Sequence, residues 1–306
     1  MIRITLSAVT CLHHAGKSRQ VRCLRCTHPL STLLLVSLAL ALPQLSGAAE
    51  LNQNTLAAFA RYVQLSETAM QTSLSPQAAF LEVDRLSPDE RRSALQKLRQ
   101  NAVWIEKLET LDAGKAIRVP GGMIHDWTGT VFVPGVTLPQ TLRLVQDYDN
   151  HEKYYRPDVI RSRISLHQGD HFVVYYRLYR KKIVSVVLDT DHDVEYQTLN
   201  ATRASSVSRT TRVQEVENPG KPDERLDPPG QDHGFLWRMN TYWRFEQKDG
   251  GTYIECRSIS LTRDIPAGLG WMIEPFVTSI PRESLTFTLA TTRAVLLRQF
   301  AAASVK

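Results

Sequence analysis

Cysteine is scarce in this chain, with four residues in 306, and Cys11, Cys23 and Cys26 all fall near the start. Cys256 stands alone beyond them, so the body of the chain can close no disulfide within itself. Cys23-x-x-Cys26 has no second pair and no histidine at ligand spacing, which leaves it weak as a zinc or redox motif. Long apolar runs are missing too. The strongest, Leu33–Leu42, is half of the roughly 20 residues that a membrane-spanning helix needs. An excess of one charge is also lacking in the body. The formal net charge is +6, but Arg3, Lys17, Arg19, Arg22 and Arg25 supply five of those charges from a stretch without acids. A near-neutral remainder argues against a nucleic-acid partner, because such binding needs a concentrated basic face. Nucleophile-elbow, zinc-protease and phosphate-loop motifs are absent as well. The expectation is therefore no catalytic residue, no metal and no cofactor.

The leader has a pattern of its own. Arg22 and Arg25 precede the apolar run, and Ser46-Gly47-Ala48-Ala49 follows with small residues around a cut near Ala48 or Ala49. This predicts a secretory signal over residues 1–49, hence an exported, periplasmic or secreted protein. The leader is long, and a translation start nearer Val21 would shorten it. No cysteine stands at the cleavage point after the apolar run, so a lipoprotein anchor is unsupported.

Residues 50–112 read as a helical extension. Leu56, Phe59, Ala60, Val63 and Ala69 give a broken helical stripe, and Ser87-Pro88-Asp89-Glu90 is a strong helix start, with Leu95, Leu98 and Val103 following. These helices are too few for a core of their own and should pack on the rest. From Met123 the period changes to two. Strands are predicted over Ile124–Val133, Val159–Leu166, His171–Arg180, Lys182–Leu188, Val194–Leu199, Ser205–Val216, Phe235–Gln247 and Thr252–Arg263. A helix over Leu138–Tyr148 interrupts them, and a last helix opens at Pro281 and runs to about Phe300. This order gives an α+β fold.

Asp249-Gly250 marks a tight hairpin, which fixes a register. Phe245 then faces Ile254, Trp243 faces Cys256, Thr241 faces Ser258, and Met239 and Trp237 continue that face. Arg244 meets Glu255 on the other, as an exposed opposite-charge pair. Large side chains stand opposite small ones on the first face. Either a helix interlocks there or a ligand has room.

Three stretches carry a resemblance. They are Asp147-Tyr148-Asp149-Asn150-His151-Glu152-Lys153-Tyr154-Tyr155-Arg156-Pro157-Asp158-Val159, then Gly250-Gly251-Thr252-Tyr253-Ile254-Glu255-Cys256, and Ile265 to Trp271 running on to Pro281-Arg282-Glu283-Ser284-Leu285. Over about the last 180 residues the chain resembles the START-related superfamily of polyketide cyclases, lipid-transport and coenzyme Q-binding proteins, its exported bacterial members above all. The resemblance implies a helix-grip domain over residues 123–302: an antiparallel sheet around a long C-terminal helix, with the helical extension before it. It also implies binding of an apolar molecule between sheet and helix, by a non-enzymatic carrier of lipids, isoprenoids or quinones. The candidate lining is Trp237, Met239, Trp243, Phe245 and Tyr176 from the sheet, with Leu285, Leu289 and Thr292 opposite.

Other readings stay open. A cyclase- or lyase-like enzyme would need a titratable group in that cavity, for which His151, Tyr148 and Glu255 are candidates. A protein-interaction module would use the Glu50–Asp112 helices. Asp189-x-Asp191-x-Asp193-x-Glu195 lacks the glycine of a calcium loop and reads as a turn leading into a strand. His125-Asp126 cannot easily pair, since neighbours on a strand point to opposite faces. Asp149, His151 and Tyr154 read as a helix cap, and Arg180-Lys181-Lys182 as a hairpin tip or a transient membrane-surface contact.

Overall fold

The structure is a computed structural model that describes residues 49–75, 78–181, 185–228, 230–265 and 270–300. The predicted signal segment before residue 49 lies outside the described residues, as does Lys182. The helices are α1 (Gln53–Thr72), α2 (Pro88–Arg99), α3 (Leu138–Val145), α4 (His151–Tyr154) and α5 (Gly270–Phe300). The long strands are β1 (Trp104–Lys107), β2 (Gly122–Pro134), β3 (Val159–Gln168), β4 (His171–Lys181), β5 (Ser185–Thr198), β6 (Arg203–Glu217), β7 (Arg238–Lys248) and β8 (Gly251–Arg263). They form one antiparallel sheet in the order β1-β2-β8-β7-β6-β5-β4-β3, with the short strand Arg225–Leu226 added to β6. No helix among the described residues is long and apolar enough to cross a membrane.

The chain from β3 to β8 runs as a meander, and β2 then pairs with β8 along its length, from Gly251 opposite Pro134 to Arg263 opposite Gly122. Helix α5 packs its Leu285, Leu289, Val295 and Leu296 into a core with Val131, Val133, Phe245, Ile254 and Cys256. This is a helix-grip arrangement, an antiparallel sheet closed on a long C-terminal helix. Close approach of helix to sheet depends on Gly129, where a Cβ would stand 2.7 Å from Leu289 Cδ1 and 3.2 Å from the Trp104 carbonyl. Gly129→Val is expected to cost about 1–3 kcal/mol through overpacking. Urea unfolding measures it, and an unchanged midpoint would show that α5 is free to shift.

Several boundaries differ from the sequence expectations. The stretch 50–112 is not helical throughout: β1 lies within it and pairs with β2 at the sheet edge, Trp104 opposite Thr130. Lys182–Leu188 and Val194–Leu199 are not two strands. β5 runs unbroken through the acids, with a bulge between Asp191 and His192, and no turn separates its halves. Helix α5 starts at Gly270, so Pro281 lies within it rather than at its start, and withholds one N–H from the preceding turn.

The hairpin register holds from Met239 opposite Ser260 through Trp243 opposite Cys256 to Lys248 opposite Gly251. Asp249 and Gly250 both have positive φ, as a type I′ turn requires. Ser87 starts α2 as expected, its N–H and Oγ both donating to Glu90 Oε2.

Burial is where the reading of the hairpin fails. Arg244 and Glu255 face each other but are only 5% and 2% exposed. The extension covers this outer face. Phe59, Tyr62 and Met70 of α1 pack with Tyr242, Ile259 and Leu261, while Phe80, Leu81, Val83, Ala94 and Leu98 pack with Phe132 and Tyr253. The buried stripe of α1 is Thr55, Phe59, Tyr62, Ser66 and Met70, so Ala60 and Ala69 of the predicted stripe face solvent. The reason is chemical. The sheet face beneath α1 is polar, and hydroxyls rather than alkyl groups answer it. Tyr62 Oη donates to Asp126 Oδ2 at 2.8 Å, and Arg257 reaches Asp126 (2.5 Å and 2.8 Å), Thr110 Oγ1 (3.1 Å) and Ser66 Oγ (3.3 Å).

Candidate ligand-binding site

Residues directly opposite on antiparallel strands share a face. The registers therefore lay out the inner surface of the sheet in rows. Val131, Ile254, Phe245 and Ala204 make one row, all fully buried under α5. Next come Gly129, Cys256, Trp243, Ser206 and Tyr196, then Trp127, Ser258, Thr241, Ser208, Val194 and Phe172. Beyond them lie His125 with Ser260 and Met239 on one side, and His192 with Val174 on the other. Large side chains alternate with Gly, Cys and Ser across these rows. Trp127, Met239, Thr241, Trp243, Ser258, Tyr176 and Tyr196 keep accessible surface here, although they face inward. One part of the inner face is thus packed solid by α5 and the adjoining part is not.

The strands β4 and β5 and the α3–α4 turn add an aromatic wall: Tyr148, Phe172, Val174 and Val194, with Ile164, Tyr176 and Tyr196 against them. Its polar atoms pair with one another, except that His151 Nε2 is buried without a partner. Tyr148 Oη lies 2.8 Å from Tyr196 Oη, His151 Nδ1 lies 2.8 Å from Tyr176 Oη, and Tyr155 Oη lies 2.9 Å from Thr292 Oγ1 of α5. His192 reaches Thr190 Oγ1 at 3.0 Å and Ser208 Oγ at 3.3 Å.

Electrically this wall is neutral. Burial pushes the Tyr148, Tyr176 and Tyr196 phenols well up and Tyr155 to about 12, so all stay protonated. Burial holds His151 down to about 4, outweighing Asp147 and the Leu144 and Val145 carbonyls, and holds His192 to about 4 against Asp191. His125, beside Thr262 Oγ1 at 3.0 Å, is also held to about 4, with Lys107 adding to burial. Its neighbour Asp126 points to the other face, as the alternation of a strand requires.

Of the predicted lining, Met239, Trp243, Phe245, Tyr176, Leu285, Leu289 and Thr292 face this region, Phe245, Leu285 and Leu289 as packed core. Trp237 does not. It precedes β7, belongs to the outer cluster with Phe59, Tyr242 and Ile259, and donates from Nε1 to Asp232 Oδ1 at 3.0 Å. Glu255, an acid–base candidate, also faces outward: Oε2 accepts from the Glu82 N–H at 2.6 Å. Asp149, His151 and Tyr154 diverge. Asp149 accepts from the Ile164 N–H, Tyr154 donates to Asp147, and His151 turns inward. Arg180 pairs with Asp158 at 2.6 Å. The acids of β5 have partners along the strands: Asp189 pairs with Arg177, Asp191 with Arg212 and Asp193 with His171. Sequence reasoning missed Tyr155, Tyr196, Trp127 and His192. Alternation from Val194 places Tyr196 inward, but the bulge at Asp191 hides the same inference for His192.

Two surface depressions lie elsewhere. They flank α2, between Leu95 and such side chains as Arg92, Gln96 and Arg99, and contain none of these groups. Charged, solvent-facing walls suit them poorly to an apolar ligand.

No protein-family model matches the chain, and no curated protein matches it. Among solved structures it is similar to an aromatase/cyclase from Streptomyces sp. R1128, at 12% identity over 59% of this chain and 98% of that one, with a TM-score of 0.43. It is also similar to a STAR-related lipid transfer protein from Xanthomonas axonopodis, at 15% identity over 64% and 99%, with a TM-score of 0.38. A START superfamily protein from Mycobacterium smegmatis gives 9% identity over 56% and 97%, with a TM-score of 0.39. Likeness at this level adds nothing to what the strand order shows of the fold.

Proposed function

We propose that the protein is an exported, non-enzymatic carrier or receptor for an uncharged, largely apolar small molecule of lipid, isoprenoid or quinone class, held between α5 and the rows around Thr241 and Trp243. One observation carries the reading: Trp127, Thr241, Trp243, Ser258, Tyr176 and Tyr196 face inward yet keep accessible surface, on a face whose side chains are uncharged at neutral pH. An apolar ligand gains about 25 cal/mol for each Å² of apolar surface it buries there. The tyrosine hydroxyls offer a neutral polar handle. A cyclase- or lyase-like reaction needs a group titrating near neutrality at this face. The inward histidines are held near 4, and Glu255, which burial raises to about 7, lies on the other side of the sheet.

Two substitutions test the site. Trp243→Ala in packed core would cost roughly 3–5 kcal/mol. On a ligand-lined face the cost is expected to be well below that, with the main loss in Nile red uptake. Ser258→Phe is expected to fold and to block uptake, because Ser258 keeps accessible surface on the inward face. Cys256, in contrast, is 2% exposed and closely packed, so Cys256→Phe is expected to strain the core by about 1–3 kcal/mol. Unchanged uptake in both the Trp243 and Ser258 variants would remove the site from this face. Export has its own check: N-terminal sequencing of envelope protein should read from Ala49 or Glu50, and an intact leader on membrane-retained protein would overturn it.

A further inference from the structure

Among the described residues, buried acids come with cations, with one exception. Asp126 has Arg257, Asp189 has Arg177, Glu246 has Arg203, and Glu255 has Arg244. The exception is a group at the far end of β6 and in the loop that follows. Glu215, Asp227 and Asp232 are 4%, 8% and 2% exposed, and among the described residues no lysine or arginine lies at ion-pair distance from any of them. Arg225, the nearest basic residue in sequence, pairs with Glu217. The side chain of His233, half exposed, closes over them.

The geometry is that of a ligand set. One donor atom each from Glu215, Asp227 and His233 lies within 4.8 Å of the other two. His233 Nδ1 is 2.8 Å from Glu215 Oε2. Glu215 also accepts from the His233 and Phe235 N–H groups, which fixes its carboxylate. Asp232 Oδ1 accepts from the Gly234 N–H at 2.8 Å and from Trp237 Nε1, but its Oδ2 is buried with no partner at all. A buried carboxylate oxygen without a partner is costly, and like charges gathered out of water are costlier still. Something positive belongs there.

We propose that Glu215, Asp227 and His233, with Asp232 beside them, bind a divalent transition-metal cation of the zinc or manganese type. The imidazole decides the class. Calcium and magnesium take oxygen ligands almost alone, whereas zinc and manganese accept a mixed imidazole and carboxylate set. Asp232 belongs to the short strand Gln231–Asp232, which pairs with Ala49–Glu50. A bound ion therefore fastens the loop between β6 and β7 to the start of the extension. The His171, Asp193 and Glu195 group on β4 and β5 is a natural control, since all three side chains keep accessible surface and none of them is buried without a partner.

The test is calorimetric titration of the full chain, stripped with EDTA, with zinc, manganese and calcium chlorides in turn. Wild type is expected to take up one more equivalent of zinc or manganese than His233→Ala or Asp227→Asn, while His171→Ala matches wild type. Calcium is expected to bind at least about tenfold more weakly. His233 is half exposed, so His233→Ala should keep the wild-type circular dichroism and decides the matter if Asp227→Asn does not fold. Equal uptake by wild type and His233→Ala, or a preference for calcium, overturns the proposal.

Discussion

Moved from pH 7 to pH 4, the protein is expected to lose most or all of its stability. His125, His151 and His192 are buried, and burial is the chief reason each is held to about 4 against an ordinary 6.5. Between those values the unfolded chain binds protons that the folded chain refuses. The stability these residues contribute is complete above pH 6.5 and drains away as pH falls to 4. Each shift corresponds to roughly 3 kcal/mol, and the three together rival the 5–15 kcal/mol of a whole domain. Glu255 works in the opposite sense. Burial raises it to about 7 despite Arg244, so its charge costs stability above pH 7 and that cost is relieved as pH falls toward 4.5. One carboxylate does not offset three imidazoles. Urea midpoints measured from pH 7.5 to 4 should be flat at first and then drop steeply, less so in His192→Gln. A midpoint at pH 4.5 equal to that at pH 7 would mean these rings are open to water.

Arg244→Ala is expected to destabilise by about 3–5 kcal/mol, the cost of stranding a buried charge. Its guanidinium lies 3.7 Å from Glu255 Oε1 and donates to the Phe80 carbonyl and Ser73 Oγ, both at 2.7 Å, and to the Met70 carbonyl at 3.4 Å. The substitution leaves Glu255 and those oxygens without their partner. Replacing Arg244 and Glu255 together by methionine should cost less than the single change, because no charge is then left alone. Denaturant unfolding of the single and double variants measures both. A loss under 1 kcal/mol for Arg244→Ala would return the pair to the rank of an exposed ion pair.

That pair shows how far the sequence could be read. Its partners and its face follow from two turn residues and the alternation of the strands, and every pairing from Met239 to Gly251 stands as counted. Its burial does not follow. A polar face reads as a wet face until something covers it, and the cover is α1 with the chain up to Leu98. The helical stripe was misplaced for the same reason: Tyr62 and Ser66 bury hydroxyls against Asp126 and Arg257, and Thr55 buries one against the Pro120 carbonyl, matches that hydrophobic periodicity cannot register. In the site, Trp243 and its small neighbours were legible because they share one strand pair. Tyr155 and Tyr196 find their partners, Thr292 and Tyr148, on elements distant in sequence, and His192 sits past a bulge that changes the count. Trp237 misled because it stands just before β7 begins, where strand alternation does not yet apply.

The pairing of β2 with β8 also fixes when the molecule can form. Gly129 meets Cys256 across a separation of roughly a hundred and twenty residues, and contacts of such length slow folding because the chain entropy is lost before they stabilise anything. The core under α5 needs Val131 from the early strand, Phe245 and Ile254 from the late hairpin, and Leu289 from the final helix. The extension has no better option, since Phe59 and Leu98 dock onto residues of β8. A ribosome that has made only the first two thirds of this chain therefore holds a polypeptide whose main core cannot yet close. Until the last helix emerges it stays open, exposed to proteases and holdase chaperones, and loose enough to be threaded.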